Sequence, residues 1–161
     1  MGFLAKLFGT ALCYIGAPVS GNAMPLHQVS DPAFAAGLLG KGIAIEPTEG
    51  RIVAPCNGRV DMIFETGHGV TLISGPGTEI LTHVGLDTVN LKGKYYITHV
   101  KNGDQVKKGQ LLIEFDLQAI KDAGYDTITP VVICNSEQYR TISTHTGKAV
   151  TAGEAVIRVS K

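Results

Sequence analysis

Nowhere does the sequence gather charge of one sign. Its 14 basic and 14 acidic residues cancel and form no basic stripe, which excludes nucleic acid as the main partner. Cysteine is scarce: Cys13, Cys56 and Cys134 are scattered, odd in number and without a C-x-x-C. That excludes a disulfide framework and a cysteine zinc site, and leaves reduced thiols in the cytoplasm as the expectation. Aromatic residues make up only 6% of the chain against 20 glycines, a balance that points to many tight turns, as in an all-β protein. No nucleotide-cradling glycine loop occurs. What is present is 44% hydrophobic residues in 161, enough for the core of one domain and too many for a disordered chain.

The first stretch, MGFLAKLFGTALCYIGAPV, sets Phe3, Leu4, Leu7, Phe8, Leu12 and Ile15 near helical spacing. The pattern predicts a short amphipathic helix, too short and glycine-interrupted to span a membrane. Residues 1–30 are therefore expected to form a flexible leader and linker, with residues 1–16 touching the membrane surface, and residues 31–161 the domain. Beyond it, GIAIEP, RIVAP, GRVDMIF, GVTLIS, TEILTHV, QLLIEF, TPVVIC and AVIRVS are short apolar runs parted by turn signals. They predict a β-sandwich or barrel. Two short helices are expected, near Pro32–Leu39 and over 116–124, the second with Asp116 as N-cap and Gly124 as stop.

An internal repeat reinforces the strand reading. NGDQVKKGQLLIEF (102–115) and TGKAVTAGEAVIRV (146–159) match at a constant offset of 44 residues, pairing Gly103 with Gly147, Val106 with Val150, Gly109 with Gly153 and Ile113 with Ile157. Each copy reads as turn, inward β-branched residue, turn, strand.

Chemistry is suggested by His68 and His83, which flank GVTLISGPGTEILT. With Gly75–Pro76 as a two-residue hairpin loop, His68 falls directly opposite His83, with Cβ atoms roughly 4.5–5.5 Å apart and on one face. A slip of one residue would put the rings on opposite faces. Two imidazoles so close cannot both be protonated comfortably, so at least one keeps a free lone pair for nucleophilic attack or metal binding. Alternation adds Phe64 and Thr66 on the first strand and Leu81 on the second, with the Thr66 hydroxyl available to fix a tautomer. His27, His99 and His145 lack such company and are read as surface residues.

At these residues the sequence resembles the glucose-type enzyme IIA family of the bacterial phosphoenolpyruvate:sugar phosphotransferase system. GIAIEP, VAPCNG, IFETGH, THVGLDTVNLKG, VKKGQLLIEFD and TPVVICN carry the likeness, which runs from about Asp31 to the C-terminus. The resemblance implies an all-β antiparallel β-sandwich, a barrel-sandwich hybrid of duplicated half-motifs. It implies that His83 accepts a phosphoryl group from the histidine-phosphorylated carrier HPr and passes it to a cysteine of a IIB domain. His68 would donate a hydrogen bond to the phosphoryl oxygens, oriented by Thr66. Ala33, Phe34, Leu39, Phe64 and Leu81 would form an apolar docking rim, with Asp31, Asp87 and Glu137 as its carboxylates. Gly67, Leu81, Ala33 and Glu137 depart from the family's usual residues, which bears on partner affinity more than on the reaction. No cofactor is required, although zinc shared between His68, His83 and a partner's carboxylate fits the likeness. A cytoplasmic protein, peripheral at the inner face of the membrane, is the corresponding location.

Two rival classes are set against this. A zinc metalloenzyme would need a third protein ligand, and no H-x-H pair occurs. A lipoyl- or biotinyl-type carrier module would need a lysine exposed at a hairpin tip between apolar or acidic neighbours, and none sits in such a setting.

Overall fold

The computed structural model describes residues 12–161. Fourteen strands run in chain order: β1 (Leu12–Gly16), β2 (Gly21–Pro25), β3 (Lys41–Pro47), β4 (Arg51–Val53), β5 (Gly58–Ile63), β6 (Gly69–Ser74), β7 (Glu79–His83), β8 (Tyr96–Thr98), β9 (Gln105–Val106), β10 (Leu111–Phe115), β11 (Thr129–Ile133), β12 (Thr141–Thr144), β13 (Lys148–Val150) and β14 (Ala155–Ser160). All eight apolar runs read from the sequence are among them. The helices are α1 (Pro32–Ala35) and α2 (Leu117–Asp122). The Asp31 carboxylate caps the first, accepting from Ala33 N at 2.8 Å. Asp116 caps the second, accepting from Ala119 N at 3.0 Å, as its position before the apolar run predicts.

One eight-stranded sheet, β13-β2-β3-β11-β7-β6-β5-β9, is joined by two three-stranded sheets, β1-β14-β12 and β4-β10-β8. Every pairing is antiparallel. The repeat is visible in this order: β9 and β13 close the two edges of the long sheet, while β10 and β14 are the middle strands of the two small ones. Its paired Val106 and Val150, and Ile113 and Ile157, are all buried.

The N-terminal reading needs correction. Residues 1–11 lie outside the described residues, but Leu12–Gly16, expected to continue a helix, form a strand on β14 with Leu12 opposite Ser160. The stretch expected as linker contains β2, paired with both β3 and β13. Ile15, Ala17, Val19, Ala23, Leu26 and Val29 are buried, so the domain includes at least residues 12–30. Burial against a strand far along the chain overrides a weak local helical spacing.

Two apolar clusters divide across the long sheet. The larger holds Ile43, Ile45, Ile80, Val131 and Ile133 with residues of both small sheets. The smaller lies under α1 and holds Phe34, Ala44, Leu81, Leu86, Ile128 and Val132. Alternation along β7 sends Ile80 to the first and Leu81 to the second, and His83 follows Leu81. Among the described residues no helix is long and apolar enough to cross a membrane.

Candidate functional site

The hairpin joining β6 to β7 is not the two-residue loop expected. Ser74 N donates to Thr78 O, and Gly77 N to Ser74 O, both at 2.9 Å. Gly75, Pro76 and Gly77 thus form the turn, and Gly77, at φ +100°, takes the left-handed position. The register moves by one: His83 lies opposite Gly69, not His68.

The rings nevertheless meet, with centroids 4.8 Å apart and planes at 83°. His68 escapes strand alternation because it precedes β6, in the turn that follows β5. That turn closes with Gly67 N on Phe64 O at 2.8 Å and Phe64 N on Gly69 O at 2.9 Å. Gly67 holds φ +76°, and a Cβ there would stand 3.0 Å from the Tyr96 Cβ, so both backbone angle and space favour glycine. The two histidine segments are joined directly, Val84 N donating to His68 O at 2.7 Å.

His68 is 4% exposed, and the Thr66 hydroxyl is hydrogen-bonded to its Nδ1 at 2.6 Å. Burial, and then the neighbouring His83, lower its pKa to about 4. His83 is half-buried. Its Nδ1 lies 2.7 Å from the Gly85 carbonyl oxygen. A carbonyl only accepts, so Nδ1 carries the proton and the neutral ring keeps its lone pair on Nε2. Burial lowers the His83 pKa; the Gly85 carbonyl and the charges of Asp31 and Asp87 act the other way. At neutral pH the pair is therefore two neutral imidazoles.

The expected rim does not hold together as one surface: Phe34 and Phe64 lie against the histidines, whereas Glu137 lines a groove that contains neither histidine. Phe34 and Leu81 are 4% and 8% exposed, so they do not form an open rim; they belong to the small core under α1. The Phe34 ring lies 5.3 Å from that of His83. Phe64 is half-buried and touches both histidines, at 5.1 Å from His68 and 6.2 Å from His83. Asp31 and Ala33 are half-buried, while Asp87 and Glu137 are exposed. Leu39 is 42% exposed, and its neighbour Leu38, not anticipated from the sequence, 77%. Leu38 and Glu137 share one groove with Lys41 and Cys134. His27, His99 and His145 are exposed, as expected. Residues the sequence reading missed are Gly85 as the His83 partner, and Thr88 and Tyr96 behind it; no spacing rule marks them. Burial pushes the Tyr96 hydroxyl up to about 12, so it remains a hydrogen-bond donor at any ordinary pH.

Two neutral imidazoles suit zinc. Among the described residues, however, no group of three or more histidine, cysteine, aspartate or glutamate side chains is placed to hold a metal ion. A dedicated zinc centre thus gains no support, and zinc here would need a ligand from a partner.

Residues 13–139 match the family model described as phosphoenolpyruvate-dependent sugar phosphotransferase system, EIIA 1. The chain belongs to that family. A glucose-specific EIIA component of this system from Bacillus cereus is 42% identical over 156 residues, covering 94% of both chains. A β-glucoside-specific EIIBCA component from Dickeya chrysanthemi is 54% identical over 123 residues. That match takes in 76% of this chain and 20% of the relative, so the chain spans about a fifth of such fused EIIA relatives. The solved glucose permease IIA from Mycoplasma capricolum superposes with a TM-score of 0.86 at 30% identity, over 92% of this chain and 96% of that one. These matches support neither the dedicated zinc enzyme nor the lipoyl- or biotinyl-type module.

Proposed function

We propose that this EIIA-family protein is a cytoplasmic phosphoryl carrier for sugar uptake that accepts on His83 Nε2 from the phosphohistidine of HPr. One observation carries the assignment: the Gly85 carbonyl holds the proton on Nδ1, 2.7 Å away, and so leaves Nε2 the nucleophile. In the first step the Nε2 lone pair attacks phosphorus in line, the N–P bond to the HPr histidine breaks, and the leaving imidazole keeps the electron pair. His83 then carries a positive ring with Nδ1–H still in place. Gly85 O, Asp31 and Asp87 offset that charge. In the second step a IIB cysteine thiolate attacks phosphorus and neutral His83 departs.

His68 supplies charge stabilisation. With the Thr66 hydroxyl donating to Nδ1, the His68 proton sits on Nε2, ready to donate to a phosphoryl oxygen. Little covalent chemistry is left for the protein, so positioning and electrostatics account for most of the rate. No resident cofactor is needed. Docking would centre on Phe64 and the exposed Leu38 and Leu39, bordered by Asp31, Asp87 and Glu137, an apolar middle with a charged margin. Contact of the N-terminal residues with a membrane surface is a separate proposal: Leu12 and Tyr14 are 48% and 55% exposed on β1.

Phosphoenolpyruvate, enzyme I and HPr should place one acid-labile phosphoryl group on the protein, read by intact mass. His83→Ala removes the accepting nitrogen and should abolish the labelling. Labelling that survives this substitution overturns the assignment.

A further inference from the structure

The backbone bend after His83 is unusually well tied. Val84 N donates to His68 O at 2.7 Å, Gly85 N to Ile128 O at 3.1 Å and Leu86 N to Asp126 O at 3.0 Å. Gly85 O takes the His83 ring proton. The Val84 carbonyl receives two hydroxyls, Thr88 Oγ1 at 2.7 Å and Tyr96 Oη at 2.9 Å. Both of its lone pairs are then filled. Val84 and Thr88 are fully buried, so no water replaces the Thr88 hydroxyl if it is removed.

These two donors stand near the ends of one loop, and that loop is strained. Among the described residues the non-glycine positions with positive φ are Asp87 (59°), Lys92 (54°) and Tyr95 (76°). All three lie between Val84 and Tyr96. A tyrosine at such an angle is an outlier that the surroundings must hold in place. Gly85 sits tightly as well: a Cβ there would meet Thr88 Cγ2 at 2.5 Å. Tyr96 also reaches the other histidine, its ring 6.3 Å from that of His68.

We propose that Thr88 and Tyr96 are positioning residues for phosphoryl transfer: by clamping the Val84 carbonyl from both ends of a strained loop, they aim the Gly85 carbonyl at His83 Nδ1. The clamp on the Val84 carbonyl and the Gly85 N–H bond to Ile128 O set the 84–85 peptide, and the Leu86 N–H bond to Asp126 O holds the next peptide, which carries Gly85 O. Gly85 O is then left pointing at the ring. Loosening the clamp lets His83 sample the tautomer protonated on Nε2, which has no lone pair there for attack. Neither hydroxyl touches the phosphoryl group. This inference rests on the phosphoryl-carrier reading, and its test is separable from it.

The full chain labelled with 15N in its histidine rings provides that test. Tyr96→Phe keeps the ring beside His68 and removes one hydroxyl; Thr88→Val keeps the methyl facing Gly85. Each should stay folded and lower the population of the His83 Nδ1–H tautomer in the ring nitrogen shifts. Each should also slow phosphorylation by phospho-HPr roughly 3- to 10-fold in kcat, with KM unchanged because the docking surface is untouched. Thr88→Ser should recover both signals. Unchanged ring shifts and rates in both hydroxyl-deleted variants overturn the clamp, as does Thr88→Ser behaving like Thr88→Val. The ring signature is read without any transfer, whereas failure of the carrier reading shows as labelling that outlives His83→Ala.

Discussion

His68 hangs from a tight turn and is 4% exposed, whereas His83 ends a strand and is only partly buried. Each ring has its Nδ1 engaged, but by different partners. A hydroxyl that can donate or accept holds the first; a carbonyl that can only accept holds the second. The contrast lets two identical side chains take opposite roles, one keeping a lone pair and the other presenting a proton. Burial reinforces the division by keeping His68 neutral.

The largest test of this contrast exchanges the two losses. His83→Ala should abolish labelling, whereas His68→Gln should still be labelled while onward transfer to a IIB domain slows by about 10²- to 10³-fold. Single-turnover transfer from the phosphorylated variant measures this. Equal defects in acceptance would erase the distinction between the rings.

Acid comes next in size. The folded pKa of His68, about 4, lies below its unfolded value of about 6.5, so the unfolded chain binds protons first as pH falls. Stability from this group is complete above the unfolded pKa and declines between roughly pH 6.5 and pH 4. Moving from pH 7 to pH 4.5 should cost the wild type about 2–3 kcal/mol more than His68→Gln, measured by denaturant titration at both pH values. The smallest expected effect is Thr66→Val, which leaves His68 in place without its orienting hydroxyl. Onward transfer should fall about 5- to 10-fold, with acceptance near the parental rate.

Legibility varied along the chain for physical reasons. Strands that bury one face by alternation, such as β3 and β11, announce themselves locally. So does the second helix, because Asp116 and Gly124 are chemical start and stop signals. The repeat foretold buried Val106 and Val150, though not that their strands close the long sheet. β1 carries a helical spacing locally, and its strand form depends on β14 at the far end of the chain, beyond the reach of any window. Gly77 belongs to the turn through a backbone angle and the Ser74 Oγ bond to Thr78 N, at 2.9 Å, and this moved the register. The histidines meet all the same, because the bend at Gly67 restores what the register removes. The Gly85 carbonyl and the clamp behind it depend on contacts between loops, where sequence periodicity carries no information.

The long sheet closes on β9 and β13, strands of two and three residues. Flanks so brief give a neighbouring polypeptide almost no ladder to extend, which is how sheet proteins resist sticking side to side. In the carrier role proposed above, edges this short would leave a docked partner little backbone ladder to cling to. The two copies of the repeat thus guard the margins of the long sheet as well as building its framework.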